Sequence, residues 1–289
     1  MNAATCAPFR KWIVHFLIAA MSLGLLVTGA AAQDEGEPLN WITGPATCQL
    51  GRVAEIEIPE GYQFVDGDGT RVLMEWLENP TNGRELGFVM PDVGEDEGLE
   101  WFVVFEYDPI GYVRDDEKDE LDADAIIKSI SEGTEEANKI RRQNGWEEFH
   151  VSGWRIPPYY DVETNNLKWA IIGTSVSGES VNFSTRLLGR GGAMSADLVI
   201  GPEGLDAALP AYESLMVGFN FTTGNRYAEF KEGDKVAKYG LTALIAGGAG
   251  AVAMKTGLLA RFWKFIVVGF LAVISFFRKI LGRLFGRSE

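Results

Sequence analysis

The sequence predicts an α+β domain with a mainly antiparallel sheet and packed helices, plus a C-terminal transmembrane segment. Strand-like and helix-like stretches do not alternate strictly along the chain, which disfavours a parallel α/β sheet. Residues 101–105 read WFVVF, an aromatic and β-branched run that is too short for an unbroken helix. Residues 240–277 are predominantly apolar, and they are longer than the ~20 residues that one membrane-spanning helix needs.

The unit from Trp101 to Trp146 is the centre of the predicted fold. Its apolar run predicts a central strand buried on both faces, and an acidic block follows at residues 115–124. Asp122 suits the N-cap of a helix that ends at Asn144-Gly145, with isoleucines on one face. Further strands are predicted at residues 53–58, 62–65, 86–90, 151–154, 167–172, 181–188, 194–200 and 219–221, and further helices at 70–78 and 202–217. Residues 157–161, PPYYD, are predicted to form a rigid loop that either packs on the core or forms a binding surface.

Both ends of the chain have the composition of targeting segments. Residues 1–32 combine a short basic start, an apolar stretch and the small residues Ala30-Ala31-Ala32, which together predict a secretory signal peptide. An uncleaved anchor is the alternative. The predicted order is then an acidic periplasmic α+β domain at residues 33–224, a polar neck at 225–239, a membrane segment at 240–277 and a basic tail at 278–289.

Small residues repeat every four positions in the first part of the predicted membrane segment. On a helix these small side chains lie on one face, which favours close helix packing or self-association of two copies. The residues of this face are Ala243, Gly247, Gly250 and Ala251. The basic residues after Phe277 predict a cytoplasmic C-terminus. The length of the segment is compatible with one span plus an interfacial part, or with a helical hairpin.

Charge is distributed unevenly. Residues 33–240 contain 40 acidic and 17 basic residues, a net charge of −23. Such a domain lacks the basic surface that nucleic-acid binding needs, and it is repelled by anionic lipid. We therefore expect no nucleic acid partner, and we expect a protein partner with a basic surface. We expect no cofactor, with a divalent cation as the one candidate ligand.

Cysteine and histidine are scarce enough to exclude several mechanisms. If the signal peptide is removed, only Cys48 and His150 remain. A single cysteine cannot form an intramolecular disulfide, and one histidine with one cysteine cannot build a typical zinc site. A serine or cysteine triad would have to use His150. We interpret Cys48 as a small buried side chain and His150 as a polar residue at a strand edge.

Carboxylates around the end of the central strand form the one candidate site. Hard cations prefer several oxygen ligands, and six acidic residues near residue 115 could converge on one. They are Glu106, Asp108, Asp115, Asp116, Asp119 and Asp122. The competing interpretation is a solvated acidic loop followed by a helix cap.

Two function hypotheses follow from these residues. The first is a non-enzymatic envelope protein whose acidic domain acts as a binding or interaction module for a protein partner or divalent cations. The second is a carboxylate-dependent hydrolase of envelope polymers, with two acids such as Glu106 and Asp108 as general acid and base. The sequence predicts no catalytic set beyond such a pair.

Several long strings resemble a known family. The strings WFVVFEYDPIGYVRDDEKDELDADAI, NLKWA, LLGRGG and RYAEFKEGDKVAKYGLTALIAGGAGAVAMKTGL, with a signal peptide and a C-terminal anchor, resemble the uncharacterised bacterial membrane-anchored proteins of the domain-of-unknown-function family numbered 2167. The resemblance implies an exported domain at the inner membrane of a Gram-negative cell, and it supplies no catalytic residues. The segments 58–62 and 203–221 are also similar to extrinsic domains of the photosystem-associated PsbP type, a likeness of fold alone.

Overall fold

The computed structural model describes residues 39–93 and 99–246. The strands are β1 (Ile42–Thr43), β2 (Ala46–Leu50), β3 (Ala54–Ile58), β4 (Tyr62–Asp66), β5 (Glu85–Pro91), β6 (Trp101–Asp108), β7 (His150–Asp161), β8 (Asn166–Ser175), β9 (Gly178–Leu188), β10 (Ala193–Ile200) and β11 (Phe219–Phe221). The helices are α1 (Gly67–Trp76), α2 (Ala123–Asn144), α3 (Leu205–Val217) and α4 (Leu241–Ile245), and a 3-10 turn spans Tyr227–Glu229.

An eight-stranded antiparallel sheet forms the body of the domain. Its strand order is β1-β4-β5-β6-β10-β9-β8-β7. The strand β6 lies between β5 and β10, and its residues from Trp101 to Phe105 are all buried, as the apolar run predicted. The side chains of a strand alternate between the two faces of its sheet, so the same strand contributes to two separate cores.

One face of the large sheet, which we call the inner face, is covered by a second sheet and by α3. The second sheet has the order β11-β3-β2 and is also antiparallel. Val103 and Phe105 from β6 meet Ile56 from β3 and Tyr212 from α3 in the largest apolar cluster. The Tyr212 hydroxyl is buried in this cluster and donates to Thr185 Oγ1 at 2.8 Å, which satisfies its polar group.

The opposite face, which we call the outer face, is covered by helices in two separate places. Phe102 and Val104 from β6 pack with Leu73 of α1 in one cluster. Trp169 from β8 packs with Ile126 of α2 and with α4 in the other cluster. The outward side chains between these clusters are polar, because β6, β9 and β10 place glutamate, arginine and serine there. The gap between the helices is therefore a polar strip on the outer face.

The α2 helix has the boundaries that its sequence predicted. Asp122 is the N-cap, and its carboxylate accepts from the Ala125 N–H at 3.0 Å. Gly145 ends the helix in the left-handed conformation at φ 73°, which glycine adopts without steric cost.

The fold class predicted from the sequence is wrong in two respects. Sheet dominates the described residues and helices are few, so the domain is mostly antiparallel β rather than α+β.

In the ranges 39–93 and 99–246, none of the helices combines the length and the apolar character needed to cross a membrane. Residues 241–245, assigned to the membrane segment by their hydropathy, instead pack into the outer-face core. Apolar composition alone does not distinguish a buried helix from a membrane helix. The predicted signal peptide, residues 247–277 and the basic tail lie outside the described residues.

The predicted loop at residues 157–161 is also wrong. These residues continue β7, which runs from His150 to Asp161 with three register shifts against β8. Proline cannot donate a hydrogen bond to a neighbouring strand, which is why two prolines suggested a loop. The strand β7 is the edge of the sheet, and its register against β8 shifts between Ile156 and Tyr159, so neither Pro157 nor Pro158 has to donate a ladder hydrogen bond.

Candidate functional site

A small cleft opens in the polar strip of the outer face, between the two apolar clusters. Its volume is about 90 Å³, well below the roughly 300–1,000 Å³ of sites for drug-sized ligands. The residues that line it are Arg84, Glu106, Tyr107, Asp108, Arg186, Ala193, Ser195 and Leu244. The cleft thus combines both signs of charge with two residues that carry hydroxyl groups, Tyr107 and Ser195, and with the apolar side chains of Ala193 and Leu244.

Strand register explains how distant residues meet in this cleft. Glu106 and Asp108 are two positions apart on β6, so they share a face, with Cα atoms about 6.5 Å apart. Ser195 of β10 lies directly opposite Glu106, and Ala193 lies opposite Asp108. Arg186 of β9 lies opposite Ser195. One row of side chains therefore crosses three neighbouring strands at the level of Glu106.

Glu106 is the least compensated charge in the cleft. Its Oε2 accepts one hydrogen bond, from the Asn82 side-chain amide at 3.0 Å. Burial raises the pKa of Glu106 above that of an ordinary glutamate, and the nearby Asp197 and Glu85 add to the rise. The Asn82 hydrogen bond and the charge of Arg186 act in the opposite direction and do not cancel it.

Glu85 lies next to Glu106 and is almost completely buried. The two glutamates are cross-strand partners on β5 and β6. Glu85 Oε1 accepts from the Asn82 backbone N–H at 2.7 Å. Its Oε2 has no hydrogen-bond partner among the described residues, and the nearest cation is Arg71, whose Nη1 is 3.9 Å away. Two carboxylates thus lie side by side, and only one weak ion pair compensates them.

The two arginines of the cleft already have carboxylate partners. Arg186 binds Asp197 with a distance of 2.8 Å, and its guanidinium lies 4.8 Å from the centre of the Trp169 ring. Arg84 binds Asp108 with a distance of 3.3 Å. Among the described residues, Glu106 makes no ion pair, so it is the carboxylate that remains free to bind a cation.

The chain from residue 225 to residue 246, which we call the strap, forms one wall of the cleft. Leu244 of α4 lines the cleft directly. Burial and the nearby Asp108 carboxylate raise the pKa of Tyr239. The Thr242 N–H donates to Glu117 at 3.4 Å, which connects the strap to the acidic block.

Specific contacts hold the strap on the domain. Arg190 makes a bidentate pair with Asp234, with both distances at 2.7 Å. The Tyr112 ring stacks on Tyr227 and on Phe230, with ring centres 4.5 and 4.1 Å apart. The string LLGRGG contains the last two residues of β9 and the hairpin turn 189–192 between β9 and β10, and Arg190 lies in that turn. Its arginine binds the strap.

The six carboxylates predicted to bind a cation have separate roles. Glu106 and Asp108 line the cleft, whereas Asp122 caps α2 and Asp115 accepts from the Tyr160 hydroxyl at 3.1 Å. Asp116 and Asp119 are exposed. Within residues 39–93 and 99–246, no three histidine, cysteine or acidic side chains are grouped as metal ligands. Ala243 is buried in α4, and Gly247, Gly250 and Ala251 lie outside the described residues.

Comparison with known proteins assigns the chain to a family. The family model described as "Protein of unknown function (DUF2167)" matches residues 42–278, which is most of the chain. The chain belongs to this family. This confirms the family that the sequence strings indicated. No curated protein matches the sequence.

Two solved structures are similar to this DUF2167 protein. The first is cyanobacterial PsbP (CyanoP) from Synechocystis sp., with 11% identity, a TM-score of 0.38 and coverage of 67% of this chain and 98% of that chain. The second is the Ran-binding protein Mog1p of Saccharomyces cerevisiae, with 8% identity, a TM-score of 0.30 and coverage of 67% and 99%. Because both TM-scores are below 0.5, neither likeness bears on the function of this chain.

Of the polar residues around this cleft, only Glu106 and Asp108 were predicted from the sequence as candidate site residues. Asn82, Glu85 and Arg84 precede or begin β5, and their sequence gives no sign that they will meet β6. Arg186 had a visible signal, because it is the one charged residue in the predicted strand 181–188 and it lies at an outward position. A charged residue at such a position predicts a polar strip rather than a fully covered face.

Proposed function

We propose that this DUF2167 protein is a non-enzymatic interaction module of the bacterial envelope, whose acidic domain binds a protein partner with a basic surface. The observation that supports this most strongly is Glu106 in the outer-face cleft. It is a partly buried carboxylate that lacks an ion pair among the described residues, whereas both arginines beside it are neutralised by acids. A cationic group from a partner would complete the site.

The overall charge of the domain supports the same proposal. A net charge of −23 over residues 33–240 accelerates the approach of a basic partner and opposes that of acidic ones. Long-range attraction of this kind is screened by salt over about 10 Å at 0.1 M. Binding should therefore weaken clearly as ionic strength rises.

The proposed location is the periplasmic face of the inner membrane. The apolar N-terminal stretch with its small-residue cleavage site supports export, and the apolar and basic C-terminal composition supports attachment with the tail in the cytoplasm. Protease treatment of spheroplasts tests this location. We expect the acidic domain to be digested while an epitope at the C-terminus stays protected. Protection of the domain would contradict it.

Photocrosslinking in living cells tests the interaction module. A photoreactive amino acid is placed at Thr81, an exposed residue beside Asn82 at the cleft, and as a control at Asn220, exposed on β11 of the second sheet. We expect a discrete adduct from position 81, weakened by added salt, and none from position 220. Equal adducts at both positions, or no adduct at position 81, would contradict the proposal.

The second candidate function is a carboxylate-dependent hydrolase of envelope polymers. It is favoured by the raised pKa of Glu106 and by the presence of Asp108 on the same strand face, because a general acid must hold its proton near working pH. Purified peptidoglycan is the substrate to test. Release of reducing ends by the wild-type chain, lost in Glu106→Gln, would establish the hydrolase, and we expect no release.

A further inference from the structure

The size of the cleft restricts what a partner can insert. About 90 Å³ is too little for a complete small-molecule ligand of ordinary size, but it is enough for the end of one side chain. The cleft is open at the protein surface, between the strap and the turn that precedes β5. An inserted group therefore belongs to a larger molecule that remains outside.

The charges of the cleft favour a cationic group. Arg84 and Arg186 are held by Asp108 and Asp197, so an inserted anion would have to displace a carboxylate. Glu106 offers a carboxylate without an ion pair among the described residues. An arginine from the partner would place a third guanidinium beside those of Arg84 and Arg186, whereas the ammonium group of a lysine is more compact.

Glu85 provides an independent reason to expect a cation. Its side chain is only 1% exposed, and its Oε2 has no hydrogen-bond donor within the described residues. Its Oε1 accepts from the Asn82 N–H and Arg71 lies 3.9 Å from Oε2, so the buried charge is only partly compensated, and a further positive charge close by lowers its cost. Because Glu85 is the cross-strand neighbour of Glu106, a cation bound at Glu106 also compensates Glu85.

The geometry points to a lysine: resting on the function proposed above, we propose that the cleft receives the side-chain ammonium of a lysine from the protein partner. An ammonium has three N–H donors. The residues that line the cleft carry acceptors for them, which are the Glu106 carboxylate, the Ser195 hydroxyl and the Asp108 carboxylate that also binds Arg84. Leu244 packs against the aliphatic stem of the lysine. A hard metal ion is a poorer fit, since it requires about six oxygen ligands or more.

The test uses the full-length chain in a neutral detergent and three probes. The probes are an acetylated and amidated Ala-Lys-Ala peptide, the same peptide with its Nε acetylated, and n-butylamine. Binding is measured by ligand-observed NMR on wild type, Glu106→Gln, Ser195→Ala and the control Glu136→Gln. Glu136 pairs with Lys139 on the exposed face of α2, away from the cleft. Thermal melts first confirm that each variant is folded.

We expect the lysine peptide to bind wild type and Glu136→Gln equally. Glu106→Gln should bind about tenfold more weakly or worse, because a charge-assisted hydrogen bond is lost, and Ser195→Ala more weakly by a smaller factor. Nε-acetylation should weaken binding at least as much as Glu106→Gln does. Unchanged binding to Glu106→Gln or of the acetylated peptide overturns the proposal. If n-butylamine binds as tightly as the peptide, the cleft is a site for small free amines rather than for a lysine of a protein partner, and the proposal also fails.

Crosslinking from position 81 separates this inference from the function on which it rests. A salt-sensitive adduct that persists undiminished in Glu106→Gln leaves the interaction module standing and rules out the lysine at this cleft. Absence of the adduct in wild type rejects the interaction module itself.

Discussion

Glu85 and Glu106 lie opposite each other on β5 and β6, and Asn82 donates one hydrogen bond to each carboxylate. The backbone N–H of Asn82 binds Glu85, and its side-chain amide binds Glu106. Two negative charges on neighbouring strands repel each other unless donors are positioned between them. Asn82 is therefore the residue that keeps this pair in place.

Replacing Asn82 with alanine should affect Glu106 more than Glu85. The backbone donor to Glu85 remains, whereas the donor to Glu106 is lost. We expect Asn82→Ala to reduce the free energy of unfolding by about 1 kcal/mol and to raise the pKa of Glu106 further. Urea denaturation measures the first effect. Asn220→Ala on the second sheet, where the side chain is exposed, is the control and should cost less.

The raised pKa of Glu106 predicts a specific pH dependence. The folded protein holds this proton more tightly than the unfolded chain, so ionisation of Glu106 lowers the free energy of unfolding, and the loss is complete once the pH exceeds the raised value. Relative to Glu106→Gln, wild type should lose stability as the pH rises from the ordinary glutamate pKa through the raised one. Urea denaturation of both proteins between pH 4 and pH 7.5 tests the sign. A difference that is constant over this range would contradict the pKa shift.

The strap should loosen when its ion pair is removed. Hydrogen bonds from Arg190 hold the pKa of Asp234 down to about 2, so the carboxylate is charged and bound at neutral pH. This contribution is present above the ordinary aspartate pKa and is lost as the pH falls towards 2. We expect Asp234→Asn to be cut faster by trypsin after Lys231, Lys235 and Lys238.

The control for the strap is another ion pair of the domain. Asp206 of α3 pairs with Arg155 at 3.1 Å on the surface, and exposed pairs of this kind contribute little. Asp206→Asn should therefore leave the tryptic pattern unchanged. Equal digestion of wild type and Asp234→Asn would show that the pair does not hold the strap.

The short helix α4 should contribute to the stability of the domain. Leu241 is fully buried in the cluster formed with Ile126 and Trp169. Leu241→Ala should lower the free energy of unfolding by about 2–4 kcal/mol, because it leaves a cavity in that cluster. Val217, which is 84% exposed at the end of α3, is the matched control, and Val217→Ala should change stability by less than ~0.5 kcal/mol.

Calcium should have little effect on the domain. The six candidate carboxylates are divided between the cleft, a tyrosine contact, a helix cap and solvent, so no group of them resembles the oxygen cage that calcium prefers. We expect the melting temperature in calcium to match that in sodium chloride of equal ionic strength. A rise of several degrees, lost in Asp115→Asn with Asp116→Asn, would instead establish a cation site at the acidic block.

Local patterns predicted much of the fold. The apolar run of β6, the cap of α2 and the strands β8 to β10 are each specified by residues close together in the sequence. The edge position of β7, which permits Pro157, could not be inferred, because it depends on which strands become neighbours. The packing of Leu241 was missed for a similar reason, since hydropathy identifies an apolar segment and not the surface that it covers.

The candidate site was only half predictable. Glu106 and Asp108 follow directly from the end of the central strand, so they could be named from the sequence. Asn82 and Arg186 join them through strand pairing that spans long stretches of chain, and no short motif records that pairing. A site that is assembled by strand pairing is therefore harder to predict from the sequence than a site within one helix or one loop.

A carbon-13 NMR titration of Glu106 tests the central claim, that this carboxylate is partly buried in the cleft and makes no ion pair among the described residues. Comparison of wild-type and Glu106→Gln spectra of the full-length chain assigns its carboxyl signal. We predict a titration midpoint above that of the exposed glutamates in the same spectra, shifted back down when the lysine peptide is added. A midpoint equal to that of the exposed glutamates, with no response to the peptide, would contradict both the site and the function proposed for it.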